Sequence, residues 1–369
     1  MREGWEYKKF ENCIVKSPKL KQVKKEAYNN GSQYPIISQE EKFISGYCDD
    51  ESMVCHIDRP IVVFGDHTRV LKYIDFDFVV GADGVKVIIP IKSIDSKFLL
   101  YFLQWYNIPN LGYSRHYKLL KDVMVPIPNC TTQQTIVSEL DKLNELIQIK
   151  KEQLKDYDAL AQSIFYEMFG DPVENEKGWE VKKLMEICDV RDGTHDSPKY
   201  VESSNYMLIT SKNIVNRAIS FDDVNYITEE DYNNINKRSK VDDGDIIMPM
   251  IGTIGNPVIV YLDNIHKFSI KNVALIKFFH NTSILNRYLL ELMISDSFRK
   301  YLLSLNKGGT QKFVALGTIR RMDIILPPLP LQQSFAHKIE QIERQKAAVQ
   351  STITDLETLL AARMQYWFD

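Results

Sequence analysis

The chain has 369 residues, 44% of them hydrophobic and 26% charged, a composition typical of globular proteins with room for roughly two to three domains. Its formal net charge of -3 excludes a generally basic coat for nucleic acid, so DNA contacts would require cations concentrated on one face. Five scattered cysteines without a CxxC pair favour a reduced cytoplasmic protein and argue against a zinc site around Cys48, Cys55 and His56. The sequence contains no apolar signal region or membrane-spanning run, so no membrane association is expected.

The first module begins with Gly4-Trp5-Glu6 and mixes short apolar runs with a helical pattern. Strands are predicted at 61–64, 78–80 and 85–89, and a helix at 97–105. Because strands and helices do not alternate regularly, the module is predicted to be α+β with a mixed sheet.

A long helix is predicted to follow, over 136–168. Apolar positions recur with a 4-3 spacing typical of a coiled coil. They are Ile136, Leu140, Leu143, Ile147, Leu154, Tyr157, Ala161, Ile164 and Met168, with Lys150 in the remaining position. At about 1.5 Å per residue the helix is roughly 50 Å long, against about 34–36 Å for one turn of DNA. Such a helix is long enough to act as a ruler along a duplex.

The second module begins with a second Gly-Trp-Glu sequence at 178–180, and Trp179 lies 174 positions after Trp5. Strands are predicted at 206–210, 245–250, 257–262 and 273–279, and one helix at 284–303. The modules differ inside: Phe64–Arg69 occurs only in the first, and Arg191–Pro198 only in the second.

The last segment repeats the helical pattern 199 positions later. Its seam is Phe335, Ile339, Ile342, Lys346, Val349, Ile353, Leu356 and Leu360, closed by Arg363 and Trp367. Each helix alone would expose a long apolar stripe, so the two are predicted to pack on one another, antiparallel. Packing of each helix on its own module remains the alternative. The predicted fold is therefore α+β with a pseudo-two-fold internal repeat: globular modules at 1–128 and 172–330, helices at 129–171 and 331–369.

No catalytic residue is assigned. The sequence lacks the Asn/Asp-Pro-Pro-aromatic loop of amino-methyltransferases, a P-loop, a convincing nuclease set and the common hydrolase motifs. We therefore interpret the chain as a protein that is not itself an enzyme and carries no cofactor or metal.

Several loops combine cations with glycine, amide or aromatic residues, a pattern suited to phosphate and base contacts, although plain surface turns would look the same. The candidate DNA-contacting residues are Lys16, Lys19, Lys21, Arg69, Arg115, His116, Lys118, Arg191, Thr194, His195, Lys212, Lys307, Gly308, Gly309, Thr310, Gln311 and Lys312.

Taken in order, these segments make the chain resemble the specificity subunit of a type I restriction–modification system over almost its whole length. The residues that carry the resemblance are the twin Gly-Trp-Glu sequences, Arg191-Asp192-Gly193-Thr194-His195, Gly308-Gly309-Thr310-Gln311-Lys312 and Pro327-Pro328-Leu329-Pro330-Leu331-Gln332-Gln333. The first copy departs from the pattern, with Asn129-Cys130-Thr131-Thr132 inserted before Gln133-Gln134.

The resemblance implies two target-recognition domains that each read one half of a split, asymmetric sequence in double-stranded DNA, with two conserved helices setting the spacer. It also implies two modification (methyltransferase) subunits that bind S-adenosylmethionine, and restriction subunits driven by ATP and Mg, with none of those sites in this chain. Apolar residues near the helix ends are expected to be exposed as partner contacts, or else to close the coiled coil: Phe165, Met168, Phe169, Trp367 and Phe368.

Two other hypotheses remain open from the sequence. One is a helical scaffold or oligomerisation protein without DNA specificity. The other is a fragment of a fused restriction–methylation enzyme whose catalytic part lies elsewhere.

Overall fold

The structure of the chain, a computed structural model, describes residues 2–17, 20–31, 33–82, 84–112, 114–196, 198–252, 254–262, 265–305 and 313–369. The chain folds into two compact units. Unit 1 combines Met1–Glu152 with Val349–Asp369, and unit 2 is Gln153–Ala348. Each long helix therefore contributes one of its halves to each unit. Within the described residues, none of the helices has the length and apolar character of a membrane span.

Unit 1 contains ten strands within its described residues. They are β1 (Glu6–Lys9), β2 (Ile14–Val15), β3 (Tyr34–Ile37), β4 (Gly46–Cys48), β5 (Val54–Cys55), β6 (Ile61–Gly65), β7 (Leu71–Ile74), β8 (Phe78–Val80), β9 (Val85–Pro90) and β10 (Met124–Ile127). Its helices are α1 (Ser96–Tyr106), the first half of α2 (Cys130–Phe169) and the last part of the C-terminal helix.

Unit 2 contains the remaining elements. Its strands are β11 (Glu180–Lys183), β12 (Cys188–Asp192), β13 (Tyr206–Ile209), β14 (Ile214–Val215), β15 (Ala218–Ile219), β16 (Asn225–Tyr226), β17 (Ile246–Pro249), β18 (Val258–Ile259), β19 (Lys267–Ile270), β20 (Val273–Phe278) and β21 (Asp323–Leu326). Its helices are the second part of α2, α3 (Leu184–Ile187), α4 (Glu229–Ser239), α5 (Asn286–Ile294), α6 (Asp296–Ser304), α7 (Leu316–Arg320) and the first part of α8 (Leu329–Phe368).

Three sheets correspond between the two units. In unit 1 the strand orders are β1-β10, β2-β9-β6-β7 and β4-β3-β8-β5. In unit 2 the corresponding orders are β11-β21, β12-β20-β17-β18 and β16-β13-β19, and unit 2 has a further two-stranded sheet, β14-β15. The third of these sheets contains one parallel pair in each unit, β3 with β8 and β13 with β19. This correspondence confirms the α+β fold with an internal repeat.

The Gly-Trp-Glu sequences have equivalent places. Each leads into the first strand of its unit, which pairs antiparallel with the strand that precedes a long helix. In unit 2 the indole Nε1 of Trp179 donates to Phe169 O at 2.8 Å, at the end of α2. In unit 1 the Arg2 guanidinium lies over Trp5 and over Trp367, near the end of α8. The repeated sequence thus fastens each unit to the end of a long helix.

The predicted helix seams are buried for most of their length. In α2 the buried positions include Ile136, Leu140, Leu143, Ile147 and Ala161. After Ala161 the prediction is wrong, because Phe165 and Phe169 are fully buried while Ile164 and Met168 are only half-buried. Four-residue steps replace the 4-3 spacing there, since these rings turn into the core of unit 2.

The second seam agrees with the prediction. Phe335, Ile339, Ile342, Val349 and Ile353 are buried along α8. Within each unit, residues later in α2 contact residues earlier in α8, so the two helices run antiparallel. Lys151 pairs with Glu357 at 2.7 Å in unit 1, and Asp158 with Lys346 at 2.9 Å in unit 2.

The helix predicted at 284–303 is instead two helices. α5 ends at Ile294 and α6 begins at Asp296, because the intervening Ser295 has an extended backbone with ψ 145°. Its hydroxyl donates to Leu292 O at 2.7 Å, which satisfies the broken end of α5. The fully buried Ser295 turns the chain so that both helices bury apolar faces on one core.

A buried glutamine fixes the start of α2 in unit 1. Gln133 is 1% exposed. Its Nε2 donates to Ser93 O and Pro128 O, both at 2.9 Å, and its Oε1 accepts from Asp95 N at 2.8 Å. One amide therefore ties the helix start, the strand exit and the N-terminal cap of α1 together.

The same arrangement recurs at the start of α8 in unit 2. Gln332 is 0% exposed, its Nε2 donates to Ser283 O at 2.9 Å and Pro327 O at 2.8 Å, and its Oε1 accepts from Leu285 N at 2.9 Å. Asn129–Thr132 in the first copy is therefore not an insertion, because Gln133 lies five positions after Pro128 and Gln332 lies five positions after Pro327. The four residues before each glutamine differ between the copies, and the geometry is the same. The repeat is thus copied at the level of individual hydrogen bonds.

Candidate nucleic-acid interface

Two loops that are far apart in the sequence meet in unit 1. Asp66 and His67 follow β6, and the other loop precedes β10. The amide and Nδ1 of His116 donate to Asp66 O at 2.8 and 2.9 Å, and Tyr117 N donates to Asp66 Oδ1 at 2.8 Å. His67 Nδ1 donates to Ser114 O at 3.2 Å. Both segments had been singled out from the sequence, and the structure brings them together.

His116 was predicted to contact DNA, but it does not lie on the surface. It is 0% exposed, and its Nε2 accepts from Leu111 N at 3.1 Å, so both ring nitrogens are occupied within the loop. A side chain that is fully buried and bonded at both ends cannot reach a base edge in this arrangement. The expectation of a direct DNA contact by His116 is therefore corrected: it holds the loop in shape.

The neighbouring cations differ in their availability. Arg115 and Lys118 are exposed on the loop that His116 anchors. Arg69 is half-buried in a left-handed conformation with φ 63°, and its Nη1 donates to Ile108 O at 2.8 Å. Arg115 and Lys118 thus face solvent, whereas Arg69 fastens the loop after β6 to the chain beyond α1.

The basic stretch near the N-terminus is partly described. Lys16 and Lys21 are exposed, and Lys21 Nζ donates to Ser52 O at 3.1 Å. Lys19 lies outside the described residues.

In unit 2 the Arg191–His195 segment runs off the end of β12 against β20. Gly193 N donates to Val273 O at 3.0 Å and Thr194 N to Ile270 O at 3.0 Å. A Cβ at Gly193 would lie 2.3 Å from Ile270 O, so only glycine permits this approach of two backbones. The exposed His195 that follows is therefore held on a fixed backbone.

Asp192 is the ionic centre of this segment. Its Oδ2 lies 2.7 Å from His195 Nε2, and its Oδ1 accepts from Arg238 Nη2. Arg191 pairs instead with Asp189 at 2.5 Å and donates through Nη1 to Arg238 O at 2.9 Å. The side chains of Arg191 and His195 are thus tied to acids, while Arg238 links the segment to α4.

A groove of about 750 Å³ separates this segment from α4. Its walls include Thr194, His195 and Lys199 on one side and Asn234 and Arg238 on the other. α4 was not predicted from the sequence. Its sequence is nearly all polar, so no apolar stripe marks it. The signals that were available are its caps: Thr228 accepts from Asp231 N, and acids precede Lys237 and Arg238 along the helix.

The remaining predicted DNA contacts of unit 2 lie elsewhere. Lys212 is exposed and pairs with Asp223 at 3.0 Å. Lys307, Gly308, Gly309, Thr310, Gln311 and Lys312 lie outside the described residues.

The expectation that the apolar residues at the helix ends are exposed is wrong for three of the five. Phe165 and Phe169 are 0% exposed and Phe368 is 6% exposed. Phe169 packs on Tyr288 and Phe335 with ring centroids 4.8 and 5.1 Å apart.

In unit 1 Phe368 packs on Phe98 and Phe102, with ring centroids 5.6 and 5.8 Å away. These rings close the cores, which leaves Met168 and Trp367, both half-buried, as the residues of that set with accessible surface.

Other apolar side chains on the long helices are exposed. In unit 1 they are Leu146, Ile149, Leu359 and Tyr366, and in unit 2 Leu160. Of these, Leu359 lines a groove of about 640 Å³ in unit 1, together with Leu143 and Arg363 among others. These positions were not predicted as partner contacts because they lie outside the heptad stripe.

An ion pair closes the helix pair in unit 1. Arg363 Nη2 and Trp367 Nε1 donate to Glu139 Oε2 at 3.0 and 2.9 Å, and Arg363 Nε donates to Oε1. The hydrogen bond from Arg363, assisted by that from Trp367, lowers the pKa of Glu139.

A different ionic cluster lies between α5 and the long helices of unit 2. Arg217 and Lys346 reach Asp158 at 3.2 and 2.9 Å, and Arg287 lies 4.0 Å from Glu291. Burial raises the pKa of Glu291, which is 2% exposed. Within the described residues, no group of acids, histidines and cysteines is arranged to hold a metal ion.

Comparison with known proteins agrees with this architecture. A family model described as type I restriction modification DNA specificity domain matches residues 2–156 and again 176–358. The MjaIX type I restriction enzyme specificity subunit of Methanocaldococcus jannaschii is 26% identical over 288 residues, which cover 70% of this chain and 64% of that relative. The match thus spans somewhat less than two thirds of the length of that relative.

Two solved structures share the fold. The type I restriction–modification S subunit from M. genitalium aligns with a TM-score of 0.54 at 13% identity, over 99% of this chain and 96% of that one. A chain from a study of complex assembly and conformational transition of the type I R-M system aligns with a TM-score of 0.57 at 15% identity, over 100% and 98%. Since the family model matches both units and most of the chain, the protein belongs to the type I restriction–modification DNA specificity family.

Proposed function

We propose that this chain is the non-catalytic, sequence-reading subunit of a type I restriction–modification complex, and that each unit reads one half of a bipartite, asymmetric site in double-stranded DNA. One observation carries the proposal: the specificity-domain family matches the chain twice, while the surfaces inside the two matches differ. Matching frameworks with different surfaces suit two different half-sites on one duplex.

The DNA-contacting surface of unit 1 is proposed to centre on the loop that His116 anchors. Arg115 and Lys118 are exposed there, and a rigid loop holds them without a large loss of conformational entropy on binding. In unit 2 the proposed surface is the groove between the Arg191–His195 segment and α4. Lysine and arginine at such places contact phosphates, and amide side chains read base edges.

The two long helices are proposed to set the spacer between the half-sites. Each is 40 residues long, or about 60 Å, which exceeds one turn of DNA at about 34–36 Å. The coiled-coil seam and the ion pairs across it stiffen the pair.

The same helices are proposed to dock two modification subunits, which supply S-adenosylmethionine and methylate DNA. Restriction subunits that use ATP and Mg would join them. The supporting observation is the set of exposed apolar side chains on the helices, together with Met168 and Trp367. The MjaIX relative is named as the specificity subunit of a type I restriction enzyme, which is consistent with partner subunits.

The test is a gel shift of duplex DNA by the chain in complex with its modification subunits, over a series of salt concentrations. A specificity subunit should bind with an affinity that falls steeply as salt rises. The variant Arg115→Ala/Lys118→Ala should reduce the slope of log K against log salt by about 2, since each lost phosphate contact lowers it by about 1. The exposed Lys92→Ala in unit 1 is the matched control and should leave the slope unchanged.

Binding that is absent or independent of salt would contradict the proposal and would favour the hypothesis of a helical scaffold without DNA specificity. A methyltransferase activity of the isolated chain would instead favour the fused enzyme.

A further inference from the structure

Helix α4 is held on unit 2 by one of its faces. The ring of Tyr232 lies 4.6 Å from that of Tyr206, and Asn236 Oδ1 accepts from Ser269 Oγ at 3.0 Å. Thr228 caps its first turn by accepting from Asp231 N at 3.1 Å. α4 is therefore a fixed element of the surface with a defined outward face.

The outward face is polar and exposed. It presents Glu230, Asn233, Asn234, Lys237 and Arg238. Charge changes along it, because the first turn carries acids and the last turn carries Lys237 and Arg238. A polyanion would therefore approach the C-terminal half of the helix and be repelled from its first turn.

Asn234 lies between these ends and lines the groove opposite Thr194, His195 and Lys199. Lys237 Nζ donates to Asn234 Oδ1 at 2.9 Å, which leaves the Nδ2 hydrogens of Asn234 directed away from that contact. The amide is thus oriented before any ligand binds. An oriented amide on a fixed helix is a suitable reader of a base edge.

The hydrogen-bonding groups of asparagine indicate which DNA base Asn234 would contact. Asparagine forms a two-point contact with adenine, accepting from N6 and donating to N7 in the major groove, and that groove is wide enough, at about 12 Å, for an α-helix. Among the described elements, unit 1 has no counterpart of α4. A recognition element present in one unit suits a base present in one half-site.

We propose that α4 enters the major groove of the half-site bound by unit 2, that Asn234 is a specificity-determining residue for an adenine there, and that Lys237 is its positioning residue. The inference rests on the proposed function. Arg238 has a separate role, because its bonds to Asp192 and to Gly193 O join α4 to the Arg191–His195 segment and fix the width of the groove.

The test is binding-site selection from randomised duplex DNA by the full chain with its modification subunits. With Asn234→Ala, the preference for adenine at one position of one half-site should fall about 5- to 150-fold, the range for loss of a two-point contact. Binding to unrelated duplex at low salt should stay the same. Asn281→Ala, an exposed asparagine of unit 2 away from the groove, is the matched control and should keep the wild-type site.

A second variant tests for a change in the preferred base rather than a loss of preference. With Asn234→Asp the same position should shift toward cytosine, because a carboxylate accepts from cytosine N4 but cannot donate to adenine N7. If the wild type selects a bipartite site and both variants select it unchanged, the role of Asn234 is overturned while the proposed function stands. If the wild type selects no sequence, the proposed function itself fails.

Discussion

The two units hold their long helices in the same way and present different surfaces beside them. Gln133 and Gln332 make equivalent hydrogen bonds to equivalent segments, although the four residues before each glutamine differ between the copies. Beside these shared junctions, unit 1 has two loops locked by a buried His116, and unit 2 has α4 and a groove. The framework repeats where equivalent partners are proposed to dock, and it diverges where different DNA sequences are proposed to be read.

The ends of the long helices offer the strongest test of the shared framework. Phe169 and Phe368 occupy equivalent places 199 positions apart and are both buried. Phe169→Ala and Phe368→Ala should each destabilise their unit by about 3–5 kcal/mol, through lost burial and the cavity left behind.

The measurement is hydrogen exchange on the full chain during denaturant titration, which reports each unit separately. The exposed Leu160→Ala is the control and should change stability by less than about 0.5 kcal/mol. Loss of partner binding without loss of stability would instead restore the exposed role first expected of these rings.

The buried glutamines come next in expected effect. Gln133→Leu and Gln332→Leu each leave a buried backbone amide and two backbone carbonyls without their hydrogen-bond partner. Each should therefore lower the free energy of unfolding by about 2–4 kcal/mol. Exchange at the amides of Asp95 and Leu285 should rise locally, each in response to its own glutamine. The neighbouring exposed residues give matched controls, Gln134→Leu and Gln333→Leu. A large effect in one unit and none in the other would break the equivalence of the two junctions.

A smaller loss of stability is expected at a contact that unit 1 has and the repeat lacks. Glu139 in unit 1 accepts from Arg363 and Trp367, whereas the position 199 residues later is Lys338, so the repeat lacks this contact. Glu139→Gln should cost about 1 kcal/mol near neutral pH, as expected for a partly exposed ion pair.

The pH dependence follows from the lowered pKa of Glu139. A carboxyl whose pKa is lowered on folding stabilises the protein above its unfolded pKa and loses this contribution as pH falls through the folded pKa. The difference between wild type and Glu139→Gln should therefore shrink below pH 4.5, the ordinary value. Unfolding in denaturant at several pH values measures it, and a difference that grows in acid would contradict the assignment.

The sequence predicted the parts of the fold that rest on long, regular patterns. The seams of α2 and α8 were visible because apolar side chains recur over many turns, and β6 and β9 because their apolar runs are buried. The shift at Phe165 was not predictable, since Ile164 and Phe165 are both apolar and the choice depends on the core of unit 2.

The candidate surfaces were harder to predict for a physical reason. The cations Arg115 and Lys118 marked a surface, but the burial of His116 depends on a carbonyl 50 positions away, at Asp66. α4 is nearly all polar, and its few inward contacts, such as Tyr232 with Tyr206, depend on tertiary structure. Local pattern therefore located the framework and part of the surface, while the groove required the fold.

The central claim is that one chain reads two half-sites with two different surfaces. The most direct measurement is binding-site selection from randomised duplex DNA by the wild-type complex and by two variants, Arg115→Ala in unit 1 and Asn234→Ala in unit 2. The account predicts two short specified sequences separated by a gap of fixed length. Asn234→Ala should relax one of the two sequences, and Arg115→Ala should weaken binding without changing either sequence. A single continuous site, or relaxation of both halves by Asn234→Ala, would contradict it.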